Sequence, residues 1–222
     1  MLTNRSMNRL SQLGGIAALV NAFAYLVGIG LVVSYLSPIM DADPQEYVAF
    51  IADNEALMTV WHVLIYLVAG VAMVPMALAL HERLKAESPV TMLIATAFGL
   101  VWVATVISSG MIIVNDVGVI AELHADNPEQ ASAVWLSLSA VEEGLGGAIE
   151  LPGGLWILLV SWAARRSGRL PKTLNGLGIA IGASGILTVI PSLYGAGYVF
   201  GIGAIAWFIG VGIALLRVRN AE

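Results

Sequence analysis

The amino-acid sequence predicts an all-α integral membrane bundle of six transmembrane helices with both termini in the cytoplasm. Of its 222 residues, 59% are hydrophobic and 11% are charged, whereas a typical soluble domain has about 25% charged residues. Apolar runs of the roughly 20 residues that cross a bilayer recur along the chain. Lysine and arginine fall only in alternate connections between these runs. Residues 1–222 are therefore interpreted as a single transmembrane domain.

The same composition excludes several classes of protein. A mean hydropathy of +0.87 is incompatible with a soluble enzyme or a disordered chain. The absence of cysteine excludes disulfides, a thiol nucleophile and a cysteine metal site. A net charge of −5 argues against a nucleic-acid partner.

The first predicted span has no charged residue between Leu10 and Met40. This run is longer than the apolar region of a signal peptide, which is about 7–15 residues, so we expect an uncleaved helix. The second span is interrupted only by His62 and Pro75. The fourth contains three glutamates. The six predicted spans cover residues of about 13–36, 57–80, 90–114, 132–164, 174–191 and 197–216.

The orientation follows from the distribution of charge. All ten basic residues lie in the two tails and in the connections after spans two and four: Arg5, Arg9, Arg83, Lys85, Arg165, Arg166, Arg169, Lys172, Arg217 and Arg219. Acidic residues dominate the other connections. Because basic loops stay inside, both termini are expected to be cytoplasmic and the location to be the plasma membrane, the inner membrane of a bacterial cell.

Two of the outer connections carry helix-start patterns. Asp43 precedes Pro44, and Asn127 precedes Pro128. An Asx residue followed by proline is typical of an N-cap and a first helical residue. After Pro44, apolar side chains share one helical face, so we expect a short helix in the outer interface. These are Tyr47, Phe50 and Ile51.

The fourth helix is too long for the bilayer. From Pro128 to Ala164 it would measure about 55 Å, against a hydrocarbon core of about 30 Å. It is expected either to protrude or to break, with Pro152-Gly153-Gly154 as the weak point. Small and acidic residues align on one face, which is expected to look into the bundle. They are Ser132, Ser139, Glu143, Gly146, Glu150 and Gly154.

Glu150 is the leading candidate for a functional residue. It lies about 22 Å from Arg165 along the helix, in the outer half of the membrane. A charge at the bilayer centre costs about 2.5–3.5 kcal/mol, so Glu150 is expected to be functional, paired or protonated. Glu143, His62 and Asp116 fall at similar depths, and together the four residues form a candidate ligand or proton site. The alternative is a neutral Glu150 bonded to a carbonyl freed by Pro152.

No motif in the chain predicts a catalytic residue, a metal site or a cofactor. The spans lack the lysine that retinal requires, and His62 is the only histidine well inside one. Glycines four residues apart predict close helix packing, either within the chain or against itself or other membrane proteins. The two pairs are Gly178 with Gly182, and Gly197 with Gly201.

The loop from Arg166 to Gly176 resembles the RSG-x-LP-x-x-LG loop of a bacterial six-helix membrane family, domain-of-unknown-function family 4386. This resemblance implies a fold and a location, and it implies no activity. In physical terms, Gly168 is suited to end the fourth helix and Pro171 to open the fifth. The arginines are expected to contact anionic lipid head groups. They are Arg165, Arg166 and Arg169.

Three functions remain open at this point. The first is handling of a small molecule or ion through an outer-half polar site around Glu150. The second is an accessory or assembly subunit of a membrane complex that docks through its glycine faces. The third is an intramembrane enzyme acting on a lipid or isoprenoid through Glu143, Glu150 and His62. Membrane lipids are expected partners in every case.

Overall fold

The computed structural model of the protein describes residues 4–147 and 149–217. Within these residues the chain is mostly helical, with short connections, and forms no strand. Among them, four helices are long and apolar enough to cross a membrane. They are Arg5–Met40, Glu55–Leu84, Pro89–Asp126 and Ala196–Arg217.

The first half of the chain folds into four helical segments. Helix α1 is α-helical over Asn4–Leu31, π-helical over Val32–Leu36 and α-helical again over Ser37–Met40. Helix α2 covers Pro44–Asp53. Helix α3 combines Glu55–His62, a π-helical segment Val63–Val68, and Ala69–Leu84. Helix α4 covers Pro89–Asp126.

The second half contains shorter segments. Helix α5 covers Pro128–Glu142 and continues as a π-helical segment, Glu143–Gly147. Helix α6 covers Leu151–Ser167, helix α7 covers Lys172–Leu187, and helix α8 covers Ala196–Arg217. With 17 and 16 residues, α6 and α7 are about 25 Å long. They are therefore shorter than the four membrane-length helices.

The helix boundaries that the sequence predicts from capping residues are confirmed. The Asp43 carboxylate accepts the backbone N–H groups of Gln45 and Glu46 at 2.9 and 3.0 Å, and the Asn127 amide oxygen accepts that of Gln130 at 3.1 Å. Gly168 ends α6 with a φ of +67°, a left-handed conformation that a side chain would strain.

The membrane-length helices and the two shorter ones form a closed ring in chain order. The contacts run from α1 to α3, α4, α6, α7 and α8, and α8 returns to α1. The main core lies inside this ring and is rich in tryptophan, methionine and alanine. Because each helix packs on its sequence neighbours, short connections suffice to build the bundle.

A second, smaller core lies at the end of the bundle that carries the acidic connections. Helix α2 packs on α4 and α5 there, and its Val48 and Ile51 are buried. The predicted apolar face of α2 is therefore covered by protein. The part of α4 that joins this core includes Val117 and Ile120.

Helix α6 packs against α7 through glycine. A Cβ atom added to Gly182 would lie 2.7 Å from the backbone nitrogen of Leu158 and 2.8 Å from the carbonyl oxygen of Gly154. By contrast, a Cβ added to Gly201 meets nothing within 4 Å. The Gly178 and Gly182 face is thus occupied within the chain. Gly201 makes no such contact within the described chain, and its packing against another protein stays a prediction.

Candidate functional site

A cavity of about 310 Å³ lies between the main core and the smaller one. Helices α3, α4 and α5 supply most of its wall, and α2 closes one side. We call it the acidic cavity because three carboxyl groups line it and, among the described residues, no lysine or arginine does. Its polar and aromatic lining comprises Tyr47, His62, Tyr66, Asp116, Trp135, Ser139, Glu142 and Glu143.

His62 is fixed in one orientation on α3. Its Nδ1 atom lies 2.8 Å from the carbonyl oxygen of Met58. Since a carbonyl oxygen only accepts, Nδ1 must carry a proton, and Nε2 of the neutral ring is then an acceptor. The ring also contacts two aromatic neighbours, with centroid distances of 4.6 Å to Trp61 and 6.1 Å to Tyr66. The sequence of α3 therefore places an aromatic row beside the cavity.

Asp116 contributes a carboxylate from the C-terminal third of α4. The residue is buried, and its Oδ1 atom accepts a long bond of 3.5 Å from the Asn115 amide. Within the described part of the chain, its buried Oδ2 atom has no hydrogen-bond partner. An unpaired buried polar group costs about 1–3 kcal/mol of stability. This oxygen is therefore available to a partner in the cavity that Asp116 lines.

Helix α5 brings further acidic groups to the same cavity. Glu142 is half-buried, Glu143 is exposed, and the Glu142 carboxyl is within electrostatic range of Asp116 and Glu143. In the same lining, the rings of Tyr47 and Trp135 are in tilted contact, with centroids 4.7 Å apart. Burial, and then the charge of Glu142, raise the pKa of the Tyr47 phenol. The cavity therefore combines negative charge with aromatic faces.

Glu150 lies in a second, smaller cavity of about 120 Å³, which we call the Glu150 cavity. Its carboxylate accepts the indole N–H of Trp102 on α4 at 3.1 Å. Its backbone N–H donates to the Thr188 hydroxyl at 2.9 Å, and that hydroxyl donates to the carbonyl of Gly185 at 2.7 Å. The remaining lining is mostly apolar and includes Phe200 and Phe208.

Close packing between α4 and α6 places Trp102 beside Glu150. A Cβ added to Gly153 on α6 would lie 2.5 Å from the Trp102 ring, and one added to Gly99 on α4 would lie 2.8 Å from the Trp156 ring. Each glycine thus receives the tryptophan of the opposite helix. The two indole rings lie 5.8 Å apart.

The predicted four-residue cluster is divided between the two cavities. His62, Asp116 and Glu143 line the acidic cavity, and Glu150 lines the other. The predicted inward face of the fourth helix is also discontinuous, because Ile149 and Glu150 are not helical and α6 starts anew at Leu151. Gly146 belongs to the π-helical segment before this interruption, and its surroundings lie outside the described structure. Ala148 also lies outside the described residues, so the prediction that Pro152 frees its carbonyl group is not tested.

Two tyrosines lie near the boundary between the cavities. Tyr66 lines the acidic cavity and is within electrostatic range of both Glu142 and Glu150. Tyr25 lines the Glu150 cavity and is within range of Tyr66. Sequence reasoning missed these phenols, and it also missed Trp102. The sequence indicates them only as aromatic residues with a hydroxyl or indole N–H group inside an apolar span. Such a group normally has a hydrogen-bond partner when it is buried.

The lining of the acidic cavity combines carboxyl groups with aromatic rings. Within the described residues, no three histidine, aspartate or glutamate side chains are grouped closely enough to hold a metal ion. Carboxylates attract a cation, and aromatic faces stabilise it further through the ring quadrupole. A volume near 300 Å³ is also typical of small-molecule pockets.

The predicted lipid contacts lie at the opposite, basic end. Arg165, Arg166 and Arg169 are all exposed, and Arg169 pairs with Glu87 through an Nε to Oε1 bond of 2.9 Å. Arg219, the last basic residue of the chain, lies outside the described residues. Arg83 and Arg169, from two connections, and Arg217, from the C-terminal end of α8, line one cavity and therefore lie at the same end of the bundle.

The fold and the apolar helices define a membrane protein of the all-α class. Its sequence matches the family described as Domain of unknown function (DUF4386) over residues 6–218, and the chain belongs to this family. Neither curated proteins nor solved structures give a match. The family description assigns no activity, so function rests on the geometry of the site.

Proposed function

We propose that this membrane protein handles a small organic cation through the acidic cavity. The observation that carries the proposal is the lining: three carboxyl groups, His62 and the contacting rings of Tyr47 and Trp135 surround a volume of about 310 Å³. The carboxylates supply the charge that a cation requires, and the aromatic rings accommodate its apolar substituents. Neutral His62 adds an acceptor at Nε2.

Glu150 has a separate part in this proposal. It follows the acidic residues of α5 along the chain, towards the membrane interior. Tyr66 is within electrostatic range of both Glu142 and Glu150, and Tyr25 is within range of Glu150 and Tyr66. We assign it the role of an internal carboxyl group that takes up a proton or cation after the ligand has entered. Trp102 holds the carboxyl in place from α4.

The binding proposal is tested by calorimetric titration of the full-length protein in detergent. The probe is benzyltrimethylammonium, and the comparison ligand is phenylacetate, which has a similar aromatic body and the opposite charge. We expect saturable binding of the cation only. Comparable binding of the anion would contradict the charge argument.

Paired variants distinguish the cavity from the general negative charge of this end. The double variant Asp116→Asn/Glu142→Gln is expected to bind the cation at least about tenfold more weakly, a loss of about 1.4 kcal/mol or more. Its matched control is Asp126→Asn/Glu122→Gln, because both of those carboxylates are exposed and do not line the cavity. Equal weakening in the two double variants would reject the acidic cavity as the site.

We also propose that six spans cross the plasma membrane, with α6 and α7 as the two short ones. Their place in the ring between α4 and α8 supports this, as does the segregation of all ten basic residues. The native chain lacks cysteine, so single cysteines report cleanly. An impermeant thiol reagent applied to whole cells should label a cysteine at Asp126 and not one at Arg169, and the reverse pattern would invert the orientation.

A second candidate function is favoured by one observation. The mostly apolar wall of the Glu150 cavity suits a lipid or isoprenoid chain, as an intramembrane enzyme would require. Lipid extracts from cells expressing the native chain or Glu150→Gln would be compared by mass spectrometry. A lipid species altered only by the native chain would favour the enzyme, and identical extracts would reject it.

A further inference from the structure

The basic end of the bundle contains a cavity that the proposed function does not use. It has a volume of about 370 Å³ and is bounded by the loop between α6 and α7 and by the last turns of α8. Its charged lining consists of Arg83, Arg169 and Arg217. Among the described residues, no acidic side chain lines it.

Arg83 and Arg169 lie close together despite their like charges, and Arg217 lines the same cavity. Arg83, in the last turn of α3, donates from Nη2 to the carbonyl oxygen of Arg169 at 3.0 Å. Glu87 neutralises Arg169, whereas it forms no ion pair with Arg83 or Arg217 within the described chain. Among the described residues, Arg83 and Arg217 therefore have no acidic partner.

Arg83 also has an unused donor. Its Nε atom is buried and lacks a hydrogen-bond partner within the described residues. Leaving a buried donor unpaired is costly, and the cost is greater for a charged group. An oxyanion at this cavity would offset both this cost and the repulsion between the arginines, because a guanidinium fork matches the geometry of phosphate oxygens.

The rest of the wall is apolar. Leu170, Ile213 and Ala214 line the cavity beside the arginines, and Ile213 is 40% exposed on the outside of the ring. A phosphate group at the arginines would thus have apolar surface next to it. Basic pockets between transmembrane helices are known binding sites for anionic lipid head groups.

We propose that Arg83, Arg169 and Arg217 form a binding site for the phosphate group of an anionic ligand, supplied by an anionic phospholipid or by free phosphate. The site differs from the lipid contacts expected from sequence. Arg165 and Arg166 lie outside this cavity, and the two arginines that replace them come from α3 and α8. It also lies apart from the acidic cavity, with which it shares no lining residue.

The test is thermal unfolding of the full-length protein in detergent, followed by tryptophan fluorescence. Dioleoylphosphatidylglycerol is expected to raise the Tm in a saturable manner, and dioleoylphosphatidylcholine, with the same chains and a neutral head group, is not. Inorganic phosphate at constant ionic strength forms the third arm. A rise with phosphate equal to that with the lipid identifies free phosphate as the source, and a rise with the lipid alone identifies the phospholipid.

Variants connect the Tm rise to this cavity. Arg83→Gln/Arg217→Gln should lose most of the ligand-induced rise, and the single variant Arg217→Gln should lose part of it while folding normally, because Arg217 is exposed at a helix end. Arg165→Gln/Arg166→Gln removes the same charge and should keep the full rise. A full rise in Arg83→Gln/Arg217→Gln and Arg217→Gln, or equal losses in the two double variants, would overturn the proposal.

Discussion

The α6–α7 contact and the acidic end of the bundle show two opposite ways of packing helices. At the contact, Gly154 and Gly182 leave no room for a side chain, and backbone meets backbone. At the acidic end, α3, α4 and α5 stand far enough apart to leave about 310 Å³ empty. The α6–α7 contact packs closely because glycine has no side chain, whereas the helices at the acidic end are separated by a polar cavity.

The comparison indicates that the glycine contact contributes mainly to stability and that the acidic cavity is suited to binding. Close-packed interiors resist any change in volume, so the glycine contact is expected to be intolerant of substitution. The acidic cavity instead keeps an unpaired oxygen of Asp116 and neighbouring carboxylates, which costs stability. We therefore expect substitutions in the first region to unfold the protein and those in the second to alter binding.

The largest effect is expected at the glycine contact. Gly182→Leu should lower the free energy of unfolding by about 1–3 kcal/mol or more, because its side chain would collide with the backbone of α6. The matched control is Gly201→Leu, which places the same side chain in open space on α8. Thermal unfolding in detergent measures both. Equal Tm values for the two variants would show that the α6–α7 contact is no more sensitive to a side chain than position 201.

The next effect concerns the hydrogen bond between α4 and Glu150. Glu150→Ala should cost about 1–3 kcal/mol, since it leaves the buried indole N–H of Trp102 unpaired. Glu150→Gln should retain the native Tm, because its amide oxygen accepts the same bond. If Gln is as damaging as Ala, the charge of Glu150 contributes to stability, and its proposed role in proton or cation uptake loses support.

The cap of α2 tests how firmly the acidic end is held. Asp43→Ala should cost about 1 kcal/mol, since two backbone N–H groups lose their acceptor. Asp41→Ala is the control, because Asp41 is exposed and precedes the helix without capping it. Hydrogen exchange should rise in α2 and not in α6. Uniform acceleration across the protein would show that the two regions unfold together.

The smallest change in stability is expected at Asp116. Asp116→Asn removes the charge of a buried carboxylate at nearly constant volume, so the Tm should stay the same or rise slightly. Binding of benzyltrimethylammonium should nevertheless weaken. A clear fall in Tm would show that Asp116 stabilises the fold and would move the binding site away from α4.

Local signals in the sequence determined much of the helix framework. Asp43 and Asn127 fix the starts of α2 and α5, and Gly168 fixes the end of α6, because capping depends on residues within one turn. Long apolar runs likewise predict the four membrane-length helices, since length and hydropathy are properties of a single segment. The six-span topology and its orientation remain predictions from the same local rules.

Only the tertiary structure decided which functional residues share a cavity. The sequence placed Glu150 with His62, Asp116 and Glu143 because all four fall at similar depths, but depth does not specify which helices are neighbours. The interruption at Ile149 and Glu150 ends the continuous face, and long-range contacts with Trp102 and Thr188 then hold Glu150 in its own cavity. Gly201 and Gly182 have the same local pattern, and only the tertiary packing decides that Gly182 meets the α6 backbone and Gly201 meets nothing within 4 Å.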